Sequence, residues 1–452
     1  MNPDSPPAAP CPTLPPMTSS ESMGTDIIVI GAGLAGLTAA RTLQRAGKTV
    51  RVLERSQHLG GRVWSKQVDG YTLDVGFIGM FTAYPAAKRQ FDYDALDLVR
   101  LKPSAVLRQE GGRAELVGDP LRDPAALPGD LSAAALTVKD RAVAAKLAAE
   151  LLARPAHELL NGPDQTTRAY LLEQGFSERS LERFFTPFFG GLVLDRQLET
   201  SAGLFRYYFR MLMTGDVSIP RAGMSELPRQ LARALDVSFG VTVTGLHAGP
   251  DGVTVQIETG ETLHAVQVVV ATDPNAAARL LGERPGAARP IARGSLGSTY
   301  LHYAAPEPLE RQRRLQLGAL PTGQLNQVFW LQEEFPNRVP DGHGLLIVSV
   351  WGVPDVDDAS LSAQVLGELR PWYGAGVERL RLLSVDRIPH TQFPQPAGYA
   401  ATLPGHTTPL PNVFLASEVN SLSGIQGALE GGEKAAAAIL GDLEVLSRPR
   451  GA

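Results

Sequence analysis

Residues 26–62 read DIIVIGAGLAGLTAARTLQRAGKTVRVLERSQHLGGR, and the order of apolar run, glycines, helix and acid in this stretch decides the fold. Asp26 to Ile30 is short, apolar and rich in isoleucine and valine, the pattern of a strand buried on both faces of a parallel sheet. Gly31, Gly33 and Gly36 follow at once. In such a unit the first glycine permits the tight turn, the second lets backbone approach a pyrophosphate, and the third lets helix and strand pack closely. The pattern predicts a helix from Leu34 to about Ala46 whose first amides point at the phosphates. A second strand over 49–53 then ends in Glu54, an acid suited to a ribose hydroxyl. A dinucleotide site in an α/β fold is the expectation.

With 452 residues the chain is long enough for two domains, because single cores stop growing at roughly 250–300 residues. The 42 basic and 47 acidic residues leave a net charge of −5 with no basic run, so a nucleic-acid partner is excluded from the reading. The single cysteine, Cys11, lies in a proline-rich leader, which leaves no pair for a disulfide and no cysteine metal cluster. The eight histidines are scattered, none three or four positions from another, so no metal site is expected. Residues 1–24 carry an acid and many prolines where a secretory signal would need basic residues and an apolar run. They read as a disordered tail, with Met17 or Met23 as alternative starts. No stretch reaches the ~18–20 apolar residues of a membrane span. A cytoplasmic protein is expected, with a peripheral membrane contact left open.

Near the other end, residues 411–432 read PNVFLASEVNSLSGIQGALEGG. Val413 to Ala416 reads as a strand leading to Glu418, and Gly424 to Leu440 as an alanine-rich helix with no acid before Glu430. In the first stretch Gly60, Gly61 and Arg62 follow the ribose acid, adding flexible backbone and a permanent cation beside the phosphates. With these motifs the chain resembles the flavin amine oxidase and phytoene desaturase superfamily, most strongly over residues 26–80, 241–273 and 412–440.

The resemblance implies FAD held without a covalent bond, Cys11 being in the leader. It places Gly31, Gly33, Leu34, Ala35, Gly36, Glu54, Arg55, Gly61, Arg62, Gly76, Val243, Glu418, Gly424, Ile425 and Ala428 at the cofactor. The amide of Ile425 would sit at the flavin pyrimidine ring and Glu418 at the ribityl chain. Ser417 stands where the family has glycine, which makes the turn before Glu418 less permissive. Asp74 and Gly76 match the strand that passes the flavin ring, with Phe77 in place of a second glycine.

Residues 241–272 alternate apolar and polar and turn at Pro250-Asp251-Gly252 and Thr259-Gly260-Glu261, so they read as a β-meander. By resemblance it covers the adenine at Val243. Residues 132–235 are largely helical by pattern, and Pro187 must end or kink one helix. Phe184, Phe185, Phe188, Phe189, Phe205, Tyr207, Tyr208, Phe209, Met211 and Met213 gather there, as a helical core or as an apolar channel or lipid-facing patch. Gly297 to Tyr303, Leu325 to Leu331 and Leu345 to Trp351 suggest a second sheet.

The expected fold class is therefore α/β: a Rossmann-type FAD-binding domain, a doubly wound parallel sheet plus β-meander, from residues 25–80, 220–290 and 400–445. A discontinuous α+β substrate domain takes residues 81–219 and 291–399.

Flavin would carry the redox step, leaving the protein to position a C–H bond and exclude water. Many amine-oxidising relatives use a mid-chain lysine, yet none occurs between Lys146 and Lys434. They also place an aromatic residue at the last helix opening, where Leu422 and Ile425 flank Ser423-Gly424. An aliphatic wall lacks the π-face that would stabilise ammonium. The reading favours hydride transfer from a small lipophilic substrate to flavin N5, as in isoprenoid or carotenoid desaturation. Amine oxidation is the alternative, and a flavin carrier without turnover a third reading. No catalytic base is assigned: Asp195, Glu226 and His302 read as surface or core groups. The electron acceptor is not assigned, although the missing lysine points away from oxygen.

Overall fold

The computed structural model describes residues 25–76, 79–119, 122–320 and 322–441. The leader with Cys11, and Phe77, lie outside them. Thr25–Ile30, Val50–Glu54, Asp236–Phe239, Thr262–Val270 and Val413–Leu415 form a parallel sheet, with Thr25–Ile30 central between Val50–Glu54 and Thr262–Val270. Ile27, Ile28, Val29 and Ile30 are buried on both faces, as a central parallel strand requires. The meander extends the same sheet: Val243–Gly249 and Gly252–Ile257 run antiparallel, and the latter pairs with the first half of Thr262–Val270.

The first helix, Leu34–Arg45, and the last, Ile425–Leu440, pack against each other. A Cβ on Gly432 would lie 2.3 Å from the Ala35 carbonyl oxygen. Segments almost 400 residues apart in sequence thus form one layer beside the sheet.

A second sheet of seven strands runs in the order Arg381–Gln392, Leu296–Ala305, Gly344–Trp351, Leu325–Leu331, Leu315–Gly318, Ser104–Arg108 and Ala114–Gly118. It contains the three strands expected from their β-branched and aromatic runs. In the middle region the helices Val138–Leu152 and Thr167–Gln174 both pack against the helix Ala202–Thr214.

Pro187 neither ends nor simply kinks its helix. Leu181–Gly190 adopts a π-helix with the proline inside, a wider turn that accommodates the missing donor and the ring. Phe185, Phe189, Phe205, Tyr207, Tyr208 and Met211 are buried, as a helical core demands, while Phe184, Phe188, Phe209 and Met213 are half-buried at its edge. Among the described residues no helix is long and apolar enough to cross a membrane.

Candidate functional site

The three N-terminal glycines divide their work. Gly31 adopts φ +109°, and a Cβ there would lie 2.6 Å from the Ala271 carbonyl oxygen. A Cβ on Gly36 would lie 2.0 Å from the Gly31 carbonyl oxygen. Both therefore serve close packing. Gly33 differs, because its backbone is ordinary (φ −72°, ψ 173°) and its Cβ would meet nothing within 4 Å. The space before it belongs to no protein atom among the described residues. Leu34 and Ala35 are buried in the first turn of a helix without side-chain cap or acid, so its free amides face that cradle.

Glu54 sits at the same turn: Oε2 accepts the Ala32 amide at 2.7 Å and Oε1 the Ser56 amide at 2.8 Å. The glycine pair closes over it, with the Gly60 amide donating to the Ala32 carbonyl at 2.8 Å. Gly61 lies against Gly33, its Cβ position 3.5 Å from the Gly33 Cα. The Val241 amide donates to the Glu54 carbonyl at 2.9 Å, bringing the meander and half-buried Val243 to this side. Arg55 is exposed.

Arg62 joins the front of the site to the back. Its Nη1 donates to Glu418 Oε1 at 2.6 Å and to the Thr391 carbonyl at 2.9 Å. Glu418 is buried, and its other oxygen accepts the Gly424 amide at 2.8 Å and the Ser423 hydroxyl at 3.1 Å. Gly76 closes beside them: its Cβ position is 2.9 Å from the Arg62 carbonyl oxygen.

Gly424 has φ +104°, a glycine conformation, and caps the last helix with no side-chain bond and no acid in the first turn. Ile425 is buried at the head of that helix, and the Ala428 amide makes its first internal bond, to the Gly424 carbonyl, at 3.0 Å. The expectation about Ser417 is corrected. Its backbone is extended (φ −151°, ψ 157°), which any residue adopts, and its hydroxyl caps the turn over Glu418–Asn420.

Asp74 holds structure together: Oδ1 accepts from the Ser65 hydroxyl at 2.7 Å and the Met224 amide at 2.8 Å, and Oδ2 pairs with buried Arg338 at 2.7 Å. Behind it His302 is fully buried, Nε2 3.1 Å from the Asp74 carbonyl and Nδ1 3.5 Å from Asp386 Oδ2. Burial drives its pKa down to about 4 against the pull of Asp386 and Asp74, so it is neutral at pH 7. Asp195 accepts from the amide and hydroxyl of Thr200, and Glu226 pairs with Arg229. Both are structural. Sequence reading missed Gln395, whose Oε1 accepts the Ser423 amide at 2.8 Å. It lies between two prolines, where no periodicity marks it. Among the described residues no cluster of three or more histidine, cysteine or acidic side chains could hold a metal ion.

An open cradle before Gly33 and an uncapped helix head beyond Arg62 fit a dinucleotide whose far end becomes anionic when reduced. The family model of flavin-containing amine oxidoreductases matches residues 34–440. Putrescine oxidase of Kocuria rosea is 52% identical over 66 residues, 13% of this chain and 14% of the relative. Phytoene dehydrogenase of Streptomyces griseus is 29% identical over 309 residues, 61% of this chain and 59% of the relative. These matches thus span less than two thirds of either relative.

Among solved structures, wild-type putrescine oxidase bound to putrescine superposes with a TM-score of 0.68 at 19% identity, covering 92% of this chain and 99% of that one. A putative protoporphyrinogen oxidase from an Exiguobacterium species gives 0.69 at 17% identity, covering 96% and 100%. They share the fold. The chain belongs to the family of flavin-containing amine oxidoreductases.

Proposed function

We propose that the chain binds FAD without a covalent bond and oxidises a lipophilic substrate by removing hydride from carbon, as a desaturase of the isoprenoid or carotenoid kind does. In this reading residues 25–80, 220–290 and 400–445 hold the cofactor, and the remainder of the folded chain shapes the substrate side. The single observation that carries the cofactor is Gly33, whose missing side chain leaves a void in front of helix amides.

Gly33 and Gly61 with the amides of Leu34 and Ala35 would receive the pyrophosphate, on the turn that Gly31 and Gly36 close. Glu54 and Arg55 would take the adenosine ribose side under Val243, and Arg62, Gly76, Glu418, Gly424, Ile425 and Ala428 the flavin side. Bound FAD would supply the hydride acceptor. The chain's own task is to orient the substrate and keep water out. Leu422 and Ile425, both packed in the core at the helix head, supply no π-face there for an ammonium. They favour an uncharged substrate, as does the lack of lysine between positions 146 and 434.

Amine oxidation is the second reading, favoured by the local match to putrescine oxidase. Flavin bands near ~370 and ~450 nm, released by heat, test the cofactor. Anaerobic mixing then separates the chemistries: bleaching by an isoprenoid lipid extract supports the proposal, bleaching by amines alone replaces it with amine oxidation, and bleaching by neither leaves a flavin carrier. Rapid reoxidation in aerated buffer would count against an acceptor other than oxygen. A peripheral membrane contact belongs to the same proposal, and co-sedimentation with liposomes checks it.

A further inference from the structure

Ser423 immediately precedes the glycine that opens the last helix, and each of its polar groups is held from a different direction. Its amide donates to Gln395 Oε1 at 2.8 Å, its carbonyl accepts the Tyr208 hydroxyl at 3.1 Å, and its own hydroxyl donates to Glu418 Oε2 at 3.1 Å. The next amide, that of Gly424, donates to the same Glu418 oxygen at 2.8 Å. A residue bonded through both its amide and its carbonyl cannot turn, so the direction of the following amides is fixed.

Two of these restraints trace to one element outside the cofactor sheet. Tyr208 is a buried residue of the helix Ala202–Thr214, and the amide of Ser201, which caps that helix, donates to the Gln395 carbonyl at 3.0 Å. Tyr208 remains a donor because burial, and then the Glu418 carboxylate, hold its pKa well above the ordinary phenol range.

We propose that Tyr208 and Gln395 are positioning residues that set how strongly bound flavin favours its reduced form, by locking Ser423 and with it the head of the last helix. The proposal rests on the reading of that helix as facing the flavin. Reduced flavin is anionic, and aligned first-turn amides stabilise it more than the oxidised form. Slackening the lock therefore lowers the midpoint potential.

Holoenzyme carrying Tyr208→Phe or Gln395→Leu tests this by dye-equilibrated potentiometry. Both variants are expected to have a lower potential, by about 30 mV for each tenfold loss in preference for the reduced flavin. Backbone amides of Gly424 and Ile425 should also exchange faster in the variant apoproteins. Tyr207→Phe is the control, since the Tyr207 hydroxyl is buried and has no hydrogen-bond partner among the described residues. It should leave potential and exchange unchanged.

Yellow Tyr208→Phe and Gln395→Leu proteins with wild-type potentials and exchange would overturn the proposal while leaving the flavin site intact. Wild-type protein that purifies colourless and takes up no FAD would remove the flavin reading itself, and the proposal with it. Either variant decides alone should the other fail to fold.

Discussion

At the residue scale, Gly33 and Gly36 make opposite predictions from the same motif. Alanine at position 33 keeps an allowed backbone and adds a methyl that touches no protein atom among the described residues, so the apoprotein should melt within about 0.5 kcal/mol of wild type. The methyl would occupy the cradle, and Gly33→Ala is expected to lose its flavin during gel filtration. Alanine at position 36 would push against the Gly31 carbonyl at 2.0 Å. That overpacking should cost about 1–3 kcal/mol in the apoprotein itself, read by thermal denaturation. Equal melting of the two variants would refute the division of labour.

At the scale of elements, the first and last helices hold the two halves of the site in register through Gly432. Its Cβ position is 2.3 Å from the Ala35 carbonyl oxygen and 2.8 Å from the Thr38 Cβ. Gly432→Ala should separate the helices, with a stability loss of about 1–3 kcal/mol and weaker flavin retention on titration, because it would displace Ala35 at the cradle. This contact shows what a sequence conceals. The strands Thr25–Ile30 and Leu325–Leu331 and the helix Ile425–Leu440 were legible, because apolar run, glycine punctuation and alanine content are local signals. The strand Arg381–Gln392 was not, since it is mostly half-exposed, contains Pro389 and lacks clean alternation. The π register around Pro187 and the bonds from Ser423 to Tyr208 and Gln395 were equally hidden. They depend on partners that only the fold brings together.

At the scale of the molecule, a partly buried charge cluster joins the hairpin Val63–Val68/Tyr71–Gly76 to the second sheet, and it predicts acid sensitivity. Asp74 pairs with Arg338, and Lys66 pairs with Asp386 and donates to Ser384 at 2.7 Å. Two cations and two carboxylates balance around neutral His302, which touches both acids' residues from the strand Leu296–Ala305. A proton on its ring would face the Asp386 carboxylate at 3.5 Å, an attraction smaller than the cost of burying the charge. Burial lowers its folded pKa from 6.5 to about 4, so between those values the unfolded chain takes up a proton that the folded chain refuses. Stability from this group is therefore complete above about pH 6.5 and is lost as pH falls toward 4, on the order of 3 kcal/mol in all. Half-buried His406, its pKa also lowered by desolvation, adds a slope of the same sign, so the test is a difference. His302→Gln keeps an amide for the Asp74 carbonyl and removes the titration. Melting temperatures of wild type and variant, measured from pH 7 to pH 4.5, should converge on acidification because only the wild type carries the His302 slope. Parallel curves would mean that His302 accepts its proton in the folded state and that the cluster tolerates the extra charge.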